Sequence, residues 1–103
     1  MRNLAIHLSM ALVLSEGNLA ALAQNIDNGE RIAQRWCVEC HSIDNRTGKT
    51  NRAISFATIA EKPGINSQMI TSFMLMPHAT MPNHPLSQKD AQDIAAFIMK
   101  MKR

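Results

Sequence analysis

The chain contains five consecutive residues, Cys37-Val38-Glu39-Cys40-His41, whose types and spacing can attach a porphyrin. Two cysteines three positions apart on a helical turn can each bond one vinyl group of the same haem. His41 follows the second cysteine and can reach the iron as the proximal axial ligand. Because these are the only two cysteines in the sequence, the motif predicts one covalently attached haem c.

A C-x-x-C pair can also be a thioredoxin-like redox centre or half of a structural zinc site. The redox centre needs a βαβ unit, and the sequence has no β-rich run to supply one. The zinc site needs further ligands, and neither His78 nor His84 stands at a recognised spacing from the cysteines. The complete five-residue string therefore favours haem attachment.

The sixth iron ligand is expected from residues 77–85, a stretch with three prolines and no apolar period that predicts a loop. Met81 lies there, and a methionine opposite a histidine raises the reduction potential of a haem. His78, His84 and Met76 are the alternatives, and either histidine would give a bis-histidine haem of lower potential. Four other methionines lie on predicted helices: Met69, Met74, Met99 and Met101.

The polar segment 42–52 is predicted to be a loop, and three of its cations are candidates to contact the haem propionates: Arg46, Lys49 and Arg52. Arg52 is the better candidate because the chain turns apolar again directly after it. A solvated loop without propionate contacts is the alternative for all three side chains.

Four predicted helices must position these residues: 27–39, 55–61, 66–76 and 87–101. The first is expected to begin with Asp27 as its N-cap. It has an apolar face that runs from Gly29 through Trp36 into both cysteines, which directs the haem toward the core. Trp36 is accordingly expected in the core or at the haem edge. Phe97, on the last helix, is expected to lie against Gly29 and join the two helices.

Residues 1–23 have the three-part layout of a secretory signal peptide, with Arg2, an apolar stretch at 4–14 and a final Ala21-Leu22-Ala23. The apolar stretch is too short to span a bilayer. We therefore divide the sequence into a signal peptide at 1–23 and one domain at 24–103. An uncleaved amphipathic helix is the alternative. The domain is near the lower size limit for a self-sufficient core, and a haem would add a large apolar surface to it.

The formal net charge is +3 over 103 residues. Residues 1–23 contain one arginine and one glutamate, so the predicted domain keeps this charge. A mildly basic surface can assist docking on an acidic partner, or can serve only solubility. No basic run is dense enough to predict nucleic-acid binding.

The sequence resembles the class I, mitochondrial-type monohaem cytochromes c, especially their small bacterial periplasmic members. The resemblance covers nearly all of residues 24–103, and four features carry it: Gly29, the haem motif, the loop at 77–82 and the last helix at 93–98. It implies an all-α class I cytochrome c fold with three to five helices wrapped round one haem. It also implies His41 and Met81 as the axial ligands.

By this resemblance the chain is expected to be a soluble, exported bacterial protein of the periplasm, and a monomer without a transmembrane segment when mature. It implies one-electron transfer between a donor and an acceptor (a reductase, oxidase or dehydrogenase) through an exposed haem edge. An iron with both axial positions filled leaves no site for a substrate, which argues against an enzyme. The alternatives are a haem enzyme or gas sensor with an open sixth position, or the cytochrome subunit of a dehydrogenase or oxidase complex.

One departure from the family concerns the group that orients the proximal histidine. Many members have a proline after the haem motif whose carbonyl accepts a hydrogen bond from that ring. Here no proline occurs between His41 and Lys62, and Ile54 stands where similar short cytochromes read Arg-Ala-Pro-Ser-Phe. The family pattern therefore does not identify the acceptor.

Overall fold

The computed structural model describes residues 24–44, 50, 52–76 and 80–103. The predicted signal peptide, Arg46, Lys49 and His78 lie outside the described residues. The described part contains four helices and no strand: α1 (Ile26–Trp36), α2 (Phe56–Ala60), α3 (Ser67–Leu75) and α4 (Gln88–Met99). The predicted all-α class, with three to five helices, is confirmed.

Local capping explains where the later three helices begin. Ser55, Asn66 and Ser87 each accept a hydrogen bond from the backbone N–H three residues on, at 3.1, 2.9 and 3.0 Å respectively. Such side chains satisfy N–H groups that have no partner inside the helix. Because this signal is local, the sequence predicts these three starts to within one residue.

The predicted start of α1 is wrong by two residues. Its N-cap is Asn25, whose side chain accepts from the Asn28 N–H at 3.0 Å. Asp27 instead lies within the first turn, where a carboxylate is favoured by the helix dipole. The helix also ends earlier than predicted, at Trp36, with Cys37 as its C-cap.

Helix α4 is the centre of the fold, since α1, α2 and α3 all pack against it. Its buried face is formed by Ala91, Asp93, Ile94, Ala95, Phe97 and Ile98. Four of these side chains (Ile94, Ala95, Phe97 and Ile98) join one apolar cluster with buried residues of the other segments, among them Ala33, Ile43, Phe56 and Ile70. The backbone N–H of Arg103 donates to the Glu61 carboxylate at 2.7 Å, which holds the end of the chain beside α2.

Gly29 marks the point where α1 and α4 approach each other most closely. A Cβ at this position would overlap the backbone carbonyl of Asp93 and lie 2.9 Å from the Ile94 nitrogen. The expected close approach of the two helices therefore occurs, and the atoms nearest to Gly29 belong to the α4 backbone at Asp93 and Ile94. Contact between Gly29 and the Phe97 ring stays a prediction. Glycine is required here by lack of space, since only a residue without a side chain lets the two backbones meet.

Asp93 is 1% exposed and is the one buried charged residue in the described part of the chain. Its carboxylate accepts from the Asn25 backbone N–H at 2.7 Å, from the Asn28 amide at 2.8 Å and from the Lys89 ammonium. Burial by itself raises the pKa of Asp93, but these hydrogen bonds and the charge of Lys89 outweigh it. The net result is a pKa below the usual range. The start of α1 is thereby bonded to the middle of α4.

The described helices are 5 to 12 residues long. None of them combines the length and the apolar character that a bilayer crossing needs.

Candidate haem site

The haem motif forms a tight turn directly after α1. The Cys37 N–H continues the helix by donating to the Ala33 carbonyl at 2.8 Å. The Cys37 carbonyl then accepts from the N–H groups of both Cys40, at 3.2 Å, and His41, at 2.9 Å. One carbonyl thus fixes the second cysteine and the histidine relative to the first, as attachment to a single porphyrin requires.

The acceptor that the family pattern leaves unidentified is the carbonyl of Ile54. It lies 2.5 Å from His41 Nδ1. A hydrogen on Nδ1 that is donated to this carbonyl leaves Nε2 with its lone pair free for iron. A backbone carbonyl does not depend on the side chain that carries it, so isoleucine can supply the same group as the family's proline.

Two further backbone bonds hold Ile54 beside the histidine. The Ala53 N–H donates to the Cys40 carbonyl at 2.8 Å, and the Phe56 N–H donates to the Ser42 carbonyl at 3.0 Å. These bonds flank the His41–Ile54 contact on both sides. The ring orientation of His41 is therefore set by a backbone clamp between the haem motif and the start of α2.

Two aromatic rings support the histidine from the core. The Phe56 ring centroid is 5.4 Å from that of His41, with the planes tilted by 46°. Phe97 packs on Phe56 edge to face, with centroids 6.2 Å apart. Phe56 and Phe97 are 3% and 2% exposed. The Phe97 ring thus supports His41 through Phe56.

A cavity of about 310 Å³ opens beside these rings. Its lining combines Cys37, His41 and Met81 with a set of side chains that are apolar apart from Lys62: Ile54, Phe56, Ile59, Lys62, Ile65, Met69, Ile70, Phe73, Met74 and Ile98. An apolar wall with one cysteine, one histidine and thioethers suits a haem, whose macrocycle is apolar and whose iron binds imidazole and thioether. The residues present therefore fit the group that the motif predicts.

Met81 contributes to the cavity wall from the segment between α3 and α4. Of the alternatives, Met76 is 57% exposed, and neither Met76 nor His84 is part of the lining. Met69 and Met74, which the sequence analysis assigns to a helix, line the cavity from α3. The cavity therefore contains three thioethers, of which Met81 alone is outside a helix.

The cysteines do not have the environment of a redox pair. They form no disulfide, and burial raises the pKa of the Cys37 thiol to about 11. Redox-active thiols have lowered pKa values. Nor do they form half of a zinc site within the described residues, where no group of three or more histidine, cysteine, aspartate or glutamate side chains could hold a metal ion.

Two expected neighbours of the haem are not part of the cavity lining. Trp36 is 36% exposed and packs on His84, so the prediction of a core position is wrong, and it is not part of the cavity lining. Arg52 is exposed and also lies outside the lining. Its backbone N–H donates to Thr50 Oγ1 at 3.4 Å, and Thr50 is bonded in turn to the Ser42 hydroxyl. Contact between Arg52 and a propionate stays a prediction.

Sequence reasoning missed two groups at the site. The Ile54 carbonyl has no side-chain signal, because any residue supplies the same acceptor. Lys62 follows a short helix and precedes Pro63, a position typical of a solvated turn. Only the pairing of the segment 53–56 with the haem motif, and the turn of the chain from α2 to α3, bring them to the cavity.

Comparison with known proteins gives two matches. The family model described as cytochrome c oxidase, cbb3-type, subunit III, matches residues 24–98. Cytochrome c-552 of Bradyrhizobium diazoefficiens is 35% identical to this chain over 94 residues, which are 90% of each protein. No solved structure matches the chain.

Proposed function

We propose, since this chain belongs to the class I cytochrome c family, that it carries single electrons between larger redox proteins in the periplasm. It holds one covalently bound haem c and is an electron-transfer protein, not an enzyme. When bound, the haem supplies an iron that exchanges one electron between its ferrous and ferric states. The observation that carries the proposal is the apolar cavity with His41 and Met81 on its wall.

In this proposal His41 is the proximal ligand and Met81 the distal one. The Ile54 carbonyl, 2.5 Å from His41 Nδ1, keeps the imidazole in one orientation. Phe56 and Phe97 keep the ring from tilting. Such fixed ligands need little rearrangement when the charge on the iron changes, which favours fast transfer. Cys37 and Cys40 provide the thioether attachments.

Residues 1–23 serve in the proposal as a signal peptide that directs export and is removed before Gln24. Two facts support this division: the charged, apolar and small-residue layout of that segment, and a family match that begins at residue 24. Sequencing the N-terminus of the protein isolated from the periplasm tests it. A periplasmic chain that begins with Met1 would indicate the uncleaved amphipathic helix.

The axial ligands are tested by optical spectra of the oxidised and reduced protein, with and without carbon monoxide. We expect a low-spin spectrum with the weak far-red band of a methionine–Fe(III) bond, and no change with carbon monoxide. The Met81→Ala variant should lose that band and bind carbon monoxide.

Three matched variants complete the test of ligation. Met69→Ala and Met74→Ala remove the other thioethers of the cavity, and Met76→Ala removes an exposed one; all three should keep the band. Loss of the band in one of these variants, with the band intact in Met81→Ala, would assign the ligand to that methionine. A wild-type iron that binds carbon monoxide readily would favour a sensor with an open sixth position.

A cytochrome subunit of an oxidase is the second candidate, because the matching family is described as an oxidase subunit. The matched relative, in contrast, carries the name of a cytochrome c and has nearly the same extent as this chain. The two candidates predict different masses in solution. A carrier elutes as a monomer from a membrane-free periplasmic extract, whereas a subunit remains with a larger complex after solubilisation of the membranes.

A further inference from the structure

Lys62 is the one lysine or arginine among the described residues that line the haem cavity. The other lining side chains are apolar, with the exception of His41, which is the proposed proximal ligand of the iron. A haem is apolar over most of its surface but ends in two propionate carboxylates. A carboxylate next to an apolar wall loses hydration, and a nearby cation offsets that loss.

We infer that the Lys62 ammonium is the partner of a haem propionate. The inference rests on the haem site and does not depend on the proposed role as a carrier. Lys62 both lines the cavity and is exposed to solvent, and the propionates are the part of a haem that would stay in contact with water. A long lysine side chain suits such a position, because its methylene groups pack on apolar surface while the charge stays in water.

The backbone fixes Lys62 at this position. Its N–H donates to the Ile59 carbonyl and its own carbonyl accepts from the Ile65 N–H, both at 3.2 Å. Ile59 and Ile65 both line the cavity. The chain then reverses through Gly64, whose φ of 75° is favoured by glycine. Lys62 is therefore held between two wall residues by a defined turn.

The ammonium is also available for this contact. No carboxylate of the described residues forms an ion pair with Lys62, whereas Lys89 is bonded to Asp93. Arg52, the cation that the sequence favours, is not part of the lining. The structure therefore assigns to Lys62 the contact that the sequence analysis expects of Arg52.

The test compares Lys62→Gln, Lys62→Arg and Arg52→Gln as holoproteins by measuring the reduction potential as a function of pH. A cation beside a carboxylate lowers its pKa, typically by one or more units. Without Lys62, the propionate should titrate about one pH unit higher, and the potential should fall because a positive charge near the iron is lost. Lys62→Arg should restore both values, and Arg52→Gln should leave them unchanged.

A second measurement needs no variant. In ¹⁵N NMR of the reduced wild-type protein, the Lys62 side-chain signal should shift with the same pH midpoint as the propionate. The inference is overturned if Arg52→Gln moves the propionate titration and Lys62→Gln does not. It is also overturned if Lys62→Gln leaves the potential unchanged and only weakens binding to an acidic redox partner, since Lys62 would then be a docking residue.

Discussion

Trp36 stacks on His84, with ring centroids 4.9 Å apart and planes inclined by 31°. The guanidinium of Arg35 lies 4.8 Å from the centre of the same indole. Trp36 immediately precedes the first haem cysteine, and His84 lies three residues after Met81. The stack therefore joins the end of α1 to the segment that carries the proposed distal ligand.

We predict that Trp36→Ala removes the ring contact that fixes the Met81 segment to the end of α1, without unfolding the protein. Offset aromatic pairs contribute about 1 kcal/mol beyond the area they bury. On heating the oxidised protein, the far-red methionine–iron band should disappear at a lower temperature in Trp36→Ala, while the helical circular dichroism persists. Trp36→Phe keeps an aromatic ring and should retain most of the wild-type behaviour. Simultaneous loss of both signals in Trp36→Ala would show that the stack supports the whole fold instead.

Gly29→Ala should destabilise the protein by about 2 kcal/mol, because the added methyl group overlaps the Asp93 carbonyl and pushes α1 from α4. The intrinsic helix preference of alanine favours the opposite sign by about 1 kcal/mol. Thermal unfolding of the holoprotein measures the balance, and we expect the midpoint to fall by on the order of 10 °C. Gln34→Ala, at an exposed position of the same helix, is the control and should shift it little.

Asp93 should contribute stability that depends on pH. Its pKa is lower in the folded than in the unfolded protein, so its contribution is complete above the ordinary aspartate pKa of about 3.9 and disappears as the pH falls through the lowered value. Asp93→Asn should therefore cost about 3 kcal/mol at neutral pH and progressively less in acid.

Denaturant unfolding of both proteins at several pH values measures this difference. Glu39→Gln, which removes an exposed carboxylate outside the helices, serves as the control and should change the stability of the wild type little at any of these pH values. A difference between Asp93→Asn and wild type that stays constant down to strongly acidic pH would show that the carboxylate charge contributes nothing.

Removal of the haem should unfold most of the domain. Without the haem, the apolar wall of the cavity of about 310 Å³ is left exposed to water. A small domain has a total stability of only about 5–15 kcal/mol, so it has little to offset this loss of apolar contacts. Far-UV circular dichroism of a Cys37→Ala/Cys40→Ala double variant should show little helix. Cys40→Ala alone keeps one thioether and should remain helical; a cooperatively folded double variant would contradict the prediction.

Local patterns predict the helices well, and long-range packing accounts for the errors. The predicted starts at 55, 66 and 87 coincide with the N-caps of α2, α3 and α4, because a cap acts on an N–H only three residues away. Trp36 continues the apolar period of α1, which predicts a buried ring. The helix ends at Trp36, however, and the ring packs on His84, which belongs to the segment before α4. The face of α4 that meets Gly29 depends on how the helices rotate against each other, which no local pattern specifies.

The candidate site likewise contains residues that a local pattern predicts and groups that only tertiary structure brings to it. The cysteines and His41 are predicted from five adjacent residues, and Met81 is predicted from the proline-rich stretch around it. The Ile54 carbonyl and Lys62 belong to segments that reach the site only through tertiary structure. Recognising them from the sequence alone would require knowing which backbone atoms the turn after the haem motif brings together.

The hydrogen bond from the Asn25 N–H to the Asp93 carboxylate joins residues 68 positions apart. It can therefore form only after nearly the whole chain has been synthesised. Contacts so distant in sequence form late, because a large loop must be closed first. A ribosome releases residues from the N-terminus onward, so α1 and the haem motif emerge long before α4 exists. Cys37 shares its buried cluster with Ile94 and Ile98 of that last helix. The Cys37 thiol is therefore enclosed only when α4 packs against the rest of the chain, and it stays accessible for haem attachment until the exported chain folds.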